Sequence, residues 1–493
     1  MPASLTTSTA NNATTPFVEV GFASTAYILF CAAIVMLMTP AVGLLYSGLS
    51  RSKNSLSIIL ISCLAYAVVT IQWICFGFSL SFSESGAGFI GTLEYAGFTN
   101  VLTQALPLTA AAIPISAFAL YQLQFATVTV AIIFGSVAER VRILPSIVFM
   151  FIWTTIVYDP VAYWTWGAHG WIRNISCLNT TASGETPCLV GGLDFAGGGP
   201  VHMASGAAAL AFCIFLGKRK FLGQRELKPH NMINVFIGTA LLWFGWFGFN
   251  GGSALGATSR AAMATVVTTV AASSGGLVWT LMDFMHTKKF SGVAFCSGVL
   301  AGLVGITPAA GFVTPWASIV IGGVAAACCN LAIRIKEVIG YDDALDAFGL
   351  HAVGGFAGSI LTGLFASKDV ALLDGTAIAG GAFINGEWIL VGYQLAGSVS
   401  ILVYSFIVTY ILLLLINMIP GMKFRVSDHE ESVGLDFSQM GESGYDIVPC
   451  VDDKYSNMKT TIEITDGLNT SNATIDDRVA YTVLPTHTVP EKA

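Results

Sequence analysis

Two histidines stand in apolar sequence, where a titratable ring needs a reason to be. His202 follows Gly192-Leu193-Asp194-Phe195-Ala196-Gly197-Gly198-Gly199-Pro200-Val201, and His351 follows Asp342-Asp343-Ala344-Leu345-Asp346-Ala347-Phe348-Gly349-Leu350. Each lead-in carries aspartate, phenylalanine and glycine, and each histidine begins a run rich in Ala and Gly. An imidazole inside a membrane segment is costly unless it lines a pathway or finds a partner. The chemistry open to it is proton exchange near neutral pH. Either ring alone is better read as a satisfied core histidine. Repeated in matching surroundings, the two are most simply read as partners.

The elements that must position them are set by composition. The 493 residues are 54% hydrophobic and 10% charged, against about a quarter charged in soluble domains. Mean hydropathy is +0.73, so the chain reads as a polytopic, all-α membrane protein. Glycine is abundant inside the apolar segments, which suits close helix packing in lipid. The net charge of −7 says little about partners, because much of the acid sits in the C-terminal tail. No basic stripe suggests nucleic acid. No nucleophile–base pair, nucleotide loop or metal-spaced Cys/His cluster appears, so neither an enzyme nor a cofactor or metal is expected. The polar start, 1–20, lacks Lys and Arg and reads as a short flexible segment without a cleavable signal peptide. Seven cysteines lie in apolar segments as small hydrophobes; Cys177 and Cys188 flank a polar loop and are disulfide candidates.

Eleven apolar stretches reach spanning length: about 24–48, 57–80, 112–137, 143–164, 199–217, 231–251, 260–283, 291–308, 315–334, 344–366 and 389–418. Loops after the odd-numbered spans hold thirteen Lys and Arg, and those after the even-numbered spans hold three. The bias places the N-terminus outside and the tail inside. Three sequons agree: Asn12 in the outer N-terminus, and Asn174 and Asn179 in the outer loop with the cysteine pair. Asn469 and Asn472, in the inner tail, are expected to stay unmodified. Spans 1–5 and 6–10 form two sets of five, and an odd number inverts the second set. His202 opens span 5 and His351 lies in span 10, the pattern of inverted repeats with a site between them. Span 11 is extra. The expected division is an extracellular 1–23, an eleven-helix domain 24–420, and a cytoplasmic tail 421–493. The tail is polar and partly disordered, with a mixed-charge part from Lys423 to Asp446 that docks under the inner loops.

Residues 23–420 resemble the ammonium transporter family (Amt/Mep/Rh), and its fungal Mep branch most closely. The motifs are Asp194-Phe195-Ala196-Gly197-Gly198 with His202; Asp342-Asp343 to His351; Trp246-Phe247-Gly248-Phe249-Asn250-Gly251-Gly252-Ser253; Ala138-Glu139-Arg140; and Gly43-Leu44-Leu45-Tyr46-Ser47-Gly48 before Arg51-Ser52-Lys53-Asn54. The resemblance implies an outer vestibule that recruits ammonium at Trp166 and Ser253, with Tyr121 as aromatic neighbour. It implies a gate of two stacked rings, Phe125 and Phe249, above the twin-histidine pair His202 and His351. Asp194 would support the site without lining the pore. An indole face holds ammonium by roughly 0.5–2 kcal/mol, and serine adds an acceptor. An apolar gate disfavours hydrated K⁺ and Na⁺, whereas ammonium can leave its proton behind and pass as NH3. Two imidazoles sharing one proton offer such a molecule a donor and an acceptor, and their titrations are coupled.

Blander readings stand beside these. Trp166 is also read as an interfacial belt residue, Phe125 and Phe249 as bundle core, Ser253 as a packing serine, and Asp194 as a helix cap. Asp342, Asp343 and Asp346 read as caps and loop contacts at the start of span 10. Asp159, an acid within span 4, has no assigned role. Some fungal members carry Glu at the first histidine position, and His202 places this chain with the twin-histidine type. The tail keeps Gly434-Leu435-Asp436 and Gly441-Glu442 of the family's regulatory segment, but Met440 stands where His is usual and Gly444 where Ala is usual. The expected function is a high-affinity-type ammonium and methylammonium permease of the plasma membrane. The family implies a homotrimer with one pore per subunit, and the tail suggests a kinase or other regulatory partner. The alternatives are an ammonium receptor signalling through its Ser/Thr-rich tail, and an Rh-type gas channel, which Tyr121, Phe125 and Ser253 fit less well.

Overall fold

Apolar runs of this length must be helical in lipid, because every backbone group has to find its partner within the segment. The computed structural model describes residues 21–101, 105–176, 191–220, 222 and 228–445, and among these it is helical with no β-strand. The apolar helices are α1 (Phe22–Leu49), α2 (Ser52–Phe82), α3 (Ile115–Val137), α4 (Ile143–Trp166), α5 (Gly198–Leu216) and α6 (Met232–Gly252), then α7 (Ser259–Thr287), α8 (Gly292–Ile306), α9 (Pro315–Ile339), α10 (Phe348–Phe365) and α11 (Ile389–Asn417). These are the eleven expected spans. α8 has only 15 residues. It continues as a buried, non-helical stretch to Val313, whose carbonyls at Thr307 and Pro308 accept from the Ala196 and Phe195 amides. α10 starts later than expected because residues 344–347 turn over the Asp343 carboxylate, which accepts from the amides of Ala347 and Phe348.

Periodicity did not foretell the breaks. α1 is interrupted at Leu37. Four helices each contain one π-helical turn: Trp73–Gly77 in α2, Thr154–Tyr158 in α4, Gly198–Met203 in α5 and Phe348–Ala352 in α10. Such turns concentrate at functional sites, and those of α5 and α10 contain His202 and His351. Asp159 follows the π-turn of α4, fully buried, where it accepts from Gln72 Nε2 at 2.7 Å and Ser81 Oγ at 3.1 Å. The acid thus ties α4 to α2.

α5 and α10 are built alike and run in opposite directions. Asp194 caps the first and Asp343 the second. The end of α5 leads to Arg219, which meets Asp342 at the start of α10. α11 packs along α5 and α10.

At that end of the bundle the loop charges are buried together. Arg219 donates through Nη2 to Asp342 at 2.9 Å and through Nη1 to Glu139 at 3.1 Å, and Arg51 closes on Glu139 at 2.9 Å. Burial alone would push the Glu139 carboxyl up, but Arg51 and Arg219 outweigh it and hold it below the usual carboxylate range. Residues 424–445 dock on the same loops. In α12 (Asp428–Val433), Glu430 pairs with Arg142 at 2.9 Å, and Glu431 binds Arg425 and the Lys220 amide. Asp436 accepts from the Leu56 and Ser57 amides, unsatisfied donors of the first turn of α2. The expected docking of the tail's first part is therefore seen as far as Tyr445.

Removing one partner from a buried ion pair leaves a stranded charge, at about 3–5 kcal/mol. Arg219→Met is expected to lower the thermal midpoint of the detergent-purified protein strongly. Arg219→Lys should recover little of it, because lysine cannot reproduce the forked contact. Fluorescence-detected size-exclusion after heating measures both, and a midpoint equal to that of the unsubstituted protein would refute the assignment.

Candidate functional site

The histidines meet because the helices bearing them can touch. Each histidine is followed four residues later by glycine. A Cβ on Gly206 would lie 2.3 Å from the Ala352 nitrogen, and one on Gly355 would lie 2.7 Å from the Gly198 oxygen. Asp194 draws in the other end of α5, accepting from the amides of Gly197, Gly198 and Gly199 at 2.7, 2.8 and 2.6 Å. Gly197 takes a left-handed φ of +107°, open to glycine at little cost. The result is a contact of 3.1 Å between His202 Nδ1 and His351 Nδ1, with ring centroids 5.2 Å apart and planes 27° from parallel. One of these nitrogens must donate and the other accept. Trp246 lies over His202 at 5.6 Å, its indole N–H fixed on Thr307 Oγ1. His202 Nε2 is buried and has no hydrogen-bond partner.

Phe125 and Phe249 stack at 4.2 Å and divide two cavities. The first, of about 200 Å³, is lined by Phe125, Trp166, Ser253 and Asp194, among others. The second, of about 210 Å³, contains Phe249, Trp246, both histidines, Tyr46 and Asp346 within otherwise largely aliphatic walls. A path between them passes the ring pair and enters the cavity that the histidines line.

Trp166 packs edge-on to Phe125 at 5.8 Å, and its Nε1 donates to the Asp194 carbonyl at 2.9 Å, which fixes the indole. The Ser253 hydroxyl donates to the Phe249 carbonyl at 2.8 Å and meets the Tyr121 hydroxyl at 3.3 Å, which still leaves its oxygen a lone pair for a ligand. Tyr121 stands apart from the lining. It is fully buried, its hydroxyl directed to the Phe249 carbonyl at 2.7 Å, and its ring props Phe125 at 5.0 Å. Asp194 does line the Trp166 cavity, which differs from the expectation that it stays out of the path. Burial pushes its carboxyl up to about 6, against the pull of the three amides.

Sequence reading missed several neighbours. Thr109, Gln122, Thr165, Arg173, Arg260 and Thr376 are further polar residues that line the Trp166 cavity. Arg260 is neutralised by Asp374 at 3.2 Å and held between the Phe195 and Phe312 rings. Arg173 donates to the Trp166 and Leu108 carbonyls. Position along a helix face was the one available signal for Gln122; the arginines had none. Of the three acids before His351, Asp342 and Asp343 make the expected loop and cap contacts. Asp346 instead pairs with Lys336 and lines the histidine cavity. Asn174 donates its side-chain amide to the Ala168 and Gly170 carbonyls. Asn12, Asn179, Cys177, Cys188, Asn469 and Asn472 lie outside the described residues. Among the described residues no cluster of His, Cys, Asp and Glu is arranged to hold a metal.

The geometry agrees with what the chain is similar to. The family model described as Ammonium Transporter Family matches residues 26–445. Ammonium transporter 1 of Schizosaccharomyces pombe is 46% identical over 422 residues, covering 85% of this chain and 82% of that one. Ammonium transporter MEP2 of Saccharomyces cerevisiae is 45% identical over 433 residues, covering 86% and 83%. The crystal structure of Candida albicans Mep2 superposes with a TM-score of 0.77 at 43% identity, covering 84% of this chain and 88% of that one. A chain matched over nearly its whole helical bundle, with the paired histidines and stacked phenylalanines at its centre, belongs to the Ammonium Transporter Family.

Proposed function

We infer that the protein is an ammonium permease, a transporter and not an enzyme. The observation that carries the reading is the order of groups along one path: an aromatic and polar cavity, a stacked phenylalanine pair, then two histidines sharing one contact in a largely apolar cavity. Ammonium would collect against the Trp166 face, with Ser253 Oγ accepting from it. Crossing the ring pair as a cation would mean losing its water shell for little in return. Leaving the proton to the histidine pair removes that cost, and NH3 moves on between walls that suit a neutral molecule. The shared hydrogen gives the pair one donor and one acceptor face. Tyr121 acts by positioning Phe125 and the Phe249 carbonyl rather than by touching the ion.

The Trp166 cavity is the outer one in this reading, and the arginine-rich end with the docked tail is cytoplasmic, as loop charge favours. The bundle 24–420 is the transporting unit, 1–23 lies outside, and 421–493 is a regulatory tail open to a kinase. The membrane is the plasma membrane and the assembly a homotrimer. Asn12, Asn174 and Asn179 are the glycan acceptors of this reading, and the Asn174 side-chain amide is already engaged with the Ala168 and Gly170 carbonyls. The Cys177–Cys188 pair remains the disulfide candidate of the same loop.

Methylammonium uptake recorded with membrane current, in cells lacking their own ammonium transporters, tests this. Saturable uptake with inward current is expected, and absence of uptake by protein at the surface would overturn the reading. His202→Ala and His351→Ala should reach the surface yet lose proton-coupled transport or its selectivity; unchanged ammonium-driven current in both would contradict their role. Trp166→Ala should raise KM about tenfold, the loss of roughly 1–2 kcal/mol of cation–π binding. The Asp194 carboxylate is charged above about 6 and neutral below it, so it assists a cation only above that pH. At clamped voltage the ammonium KM should rise as external pH falls through about 6, and Asp194→Asn should flatten that dependence.

A further inference from the structure

Two polar atoms of the Trp166 cavity's lining residues, Gln122 Oε1 and Thr109 Oγ1, are left without a partner by the protein. Gln122 shares a face of α3 with Phe118 and Phe125, four residues before and three after it, and all three line the cavity. Gln122 is only 7% exposed, and its Oε1 is buried without a hydrogen-bond partner. Buried amide oxygens nearly always find a donor, and leaving one without it is costly. Apart from the Thr109 hydroxyl, which also lacks a partner, the other polar groups around the cavity are already engaged. The Trp166 N–H goes to the Asp194 carbonyl. Arg173 donates to two carbonyls, and Arg260 to the Gly311 carbonyl, Asp374 and Thr376. The Gln122 carboxamide makes no hydrogen bond to the described residues through either atom, so a half-turn about its terminal bond presents Oε1 to a guest in the cavity.

The expected guest is rich in donors. Ammonium presents four N–H bonds in a tetrahedron. The indole and phenyl faces attract its charge but discriminate weakly between it and K⁺, which has a similar charge and no donors. Ser253 Oγ satisfies one N–H. A second, neutral acceptor favours a cation with hydrogens to give over one without.

We propose that Gln122 Oε1 is a second hydrogen-bond acceptor for ammonium in the Trp166 cavity, and that it is a specificity-determining group for NH4⁺ over K⁺ and over N-methylated ammonium. The proposal rests on the reading of this cavity as the recruitment site. Each methyl group on nitrogen removes one donor, so the preference should weaken stepwise with methylation. Neutrality matters as well: a carboxylate here would hold cations by charge and reward K⁺ equally.

The test uses the full-length chain in cells lacking their own ammonium transporters, with surface abundance measured for each variant. Labelled methylammonium uptake is competed with ammonium and with K⁺. Gln122→Met keeps the volume and removes the acceptor. It should raise the ammonium inhibition constant about tenfold, the usual weight of a hydrogen bond to a charged group. It should raise the methylammonium KM less, leave the maximal rate nearly unchanged, and narrow the gap between ammonium and K⁺. Gln122→Glu should recover ammonium affinity while losing discrimination against K⁺. A packing role would lower abundance or maximal rate in both variants and leave the ratio of ammonium to methylammonium affinity fixed, and that result overturns the proposal. Trp166→Ala is run in parallel. If it raises KM while Gln122→Met does not, Gln122 is not a ligand and the cavity's role stands; if neither does, the recruitment reading fails as well. Should Gln122→Met not reach the surface, Gln122→Asn, with its acceptor drawn back by one methylene, supplies the same comparison.

Discussion

The whole arrangement depends on how closely α5 and α10 approach. Imidazole nitrogens 3.1 Å apart require helix backbones nearly in contact, and that requires glycine where each helix crosses the other. Gly206 and Gly355 provide it in symmetric fashion, each four residues beyond a histidine. The membrane supplies no hydrophobic force to press helices together, so contact relies on small residues and satisfied polar groups. The carboxylates of Asp194 and Asp343 do the second part. Each gathers the free amides at the start of its helix, where an anion is favoured. The two helices are therefore fixed at their starts by acid caps and at their crossing by missing side chains.

Around this crossing the rest of the bundle acts as a frame. Trp246 lies over His202 and is itself held by Thr307 on the buried extension of α8. That extension is non-helical because its carbonyls serve the loop leading into α5. Tyr121 props the phenylalanine pair from behind. At the arginine-rich end, Glu139, Arg219 and Asp342 join loops from both halves, so the inverted repeats are locked by charge where the glycines no longer hold them.

Much of this was legible in the sequence. Spanning segments are read from hydropathy alone, because lipid leaves a long apolar run no other structure. The paired histidines were legible from their repeated lead-ins, and the family motifs placed Trp166, Ser253, Phe125 and Phe249. What the sequence did not disclose was three-dimensional. The π-turns of α2 and α4 leave no mark in a 3.6-residue pattern. Asp342, Asp343 and Asp346 looked equivalent, yet the left-handed backbone at Asp346 turns it towards the cavity while its neighbours serve the loops. The family resemblance made Tyr121 an aromatic neighbour of the vestibule, but successive helical residues face different ways, and it is Gln122 that lines the cavity. Its neighbour takes the cavity and it takes the core.

The stacked pair Phe125 and Phe249 has an electrical consequence. Cavities reach it from both sides, so the dry part of the path is far thinner than the bilayer. A membrane voltage falls mainly across material that water cannot enter, and here that is the ring pair and the histidines behind it. One elementary charge crossing the full drop is worth about 2.3 kcal/mol per 100 mV. Nearly all of that acts on whatever charge moves between Trp166 and His351, and almost none on a charge held in the Trp166 cavity. The bundle thus focuses the cell's field onto the ring pair and the paired histidines.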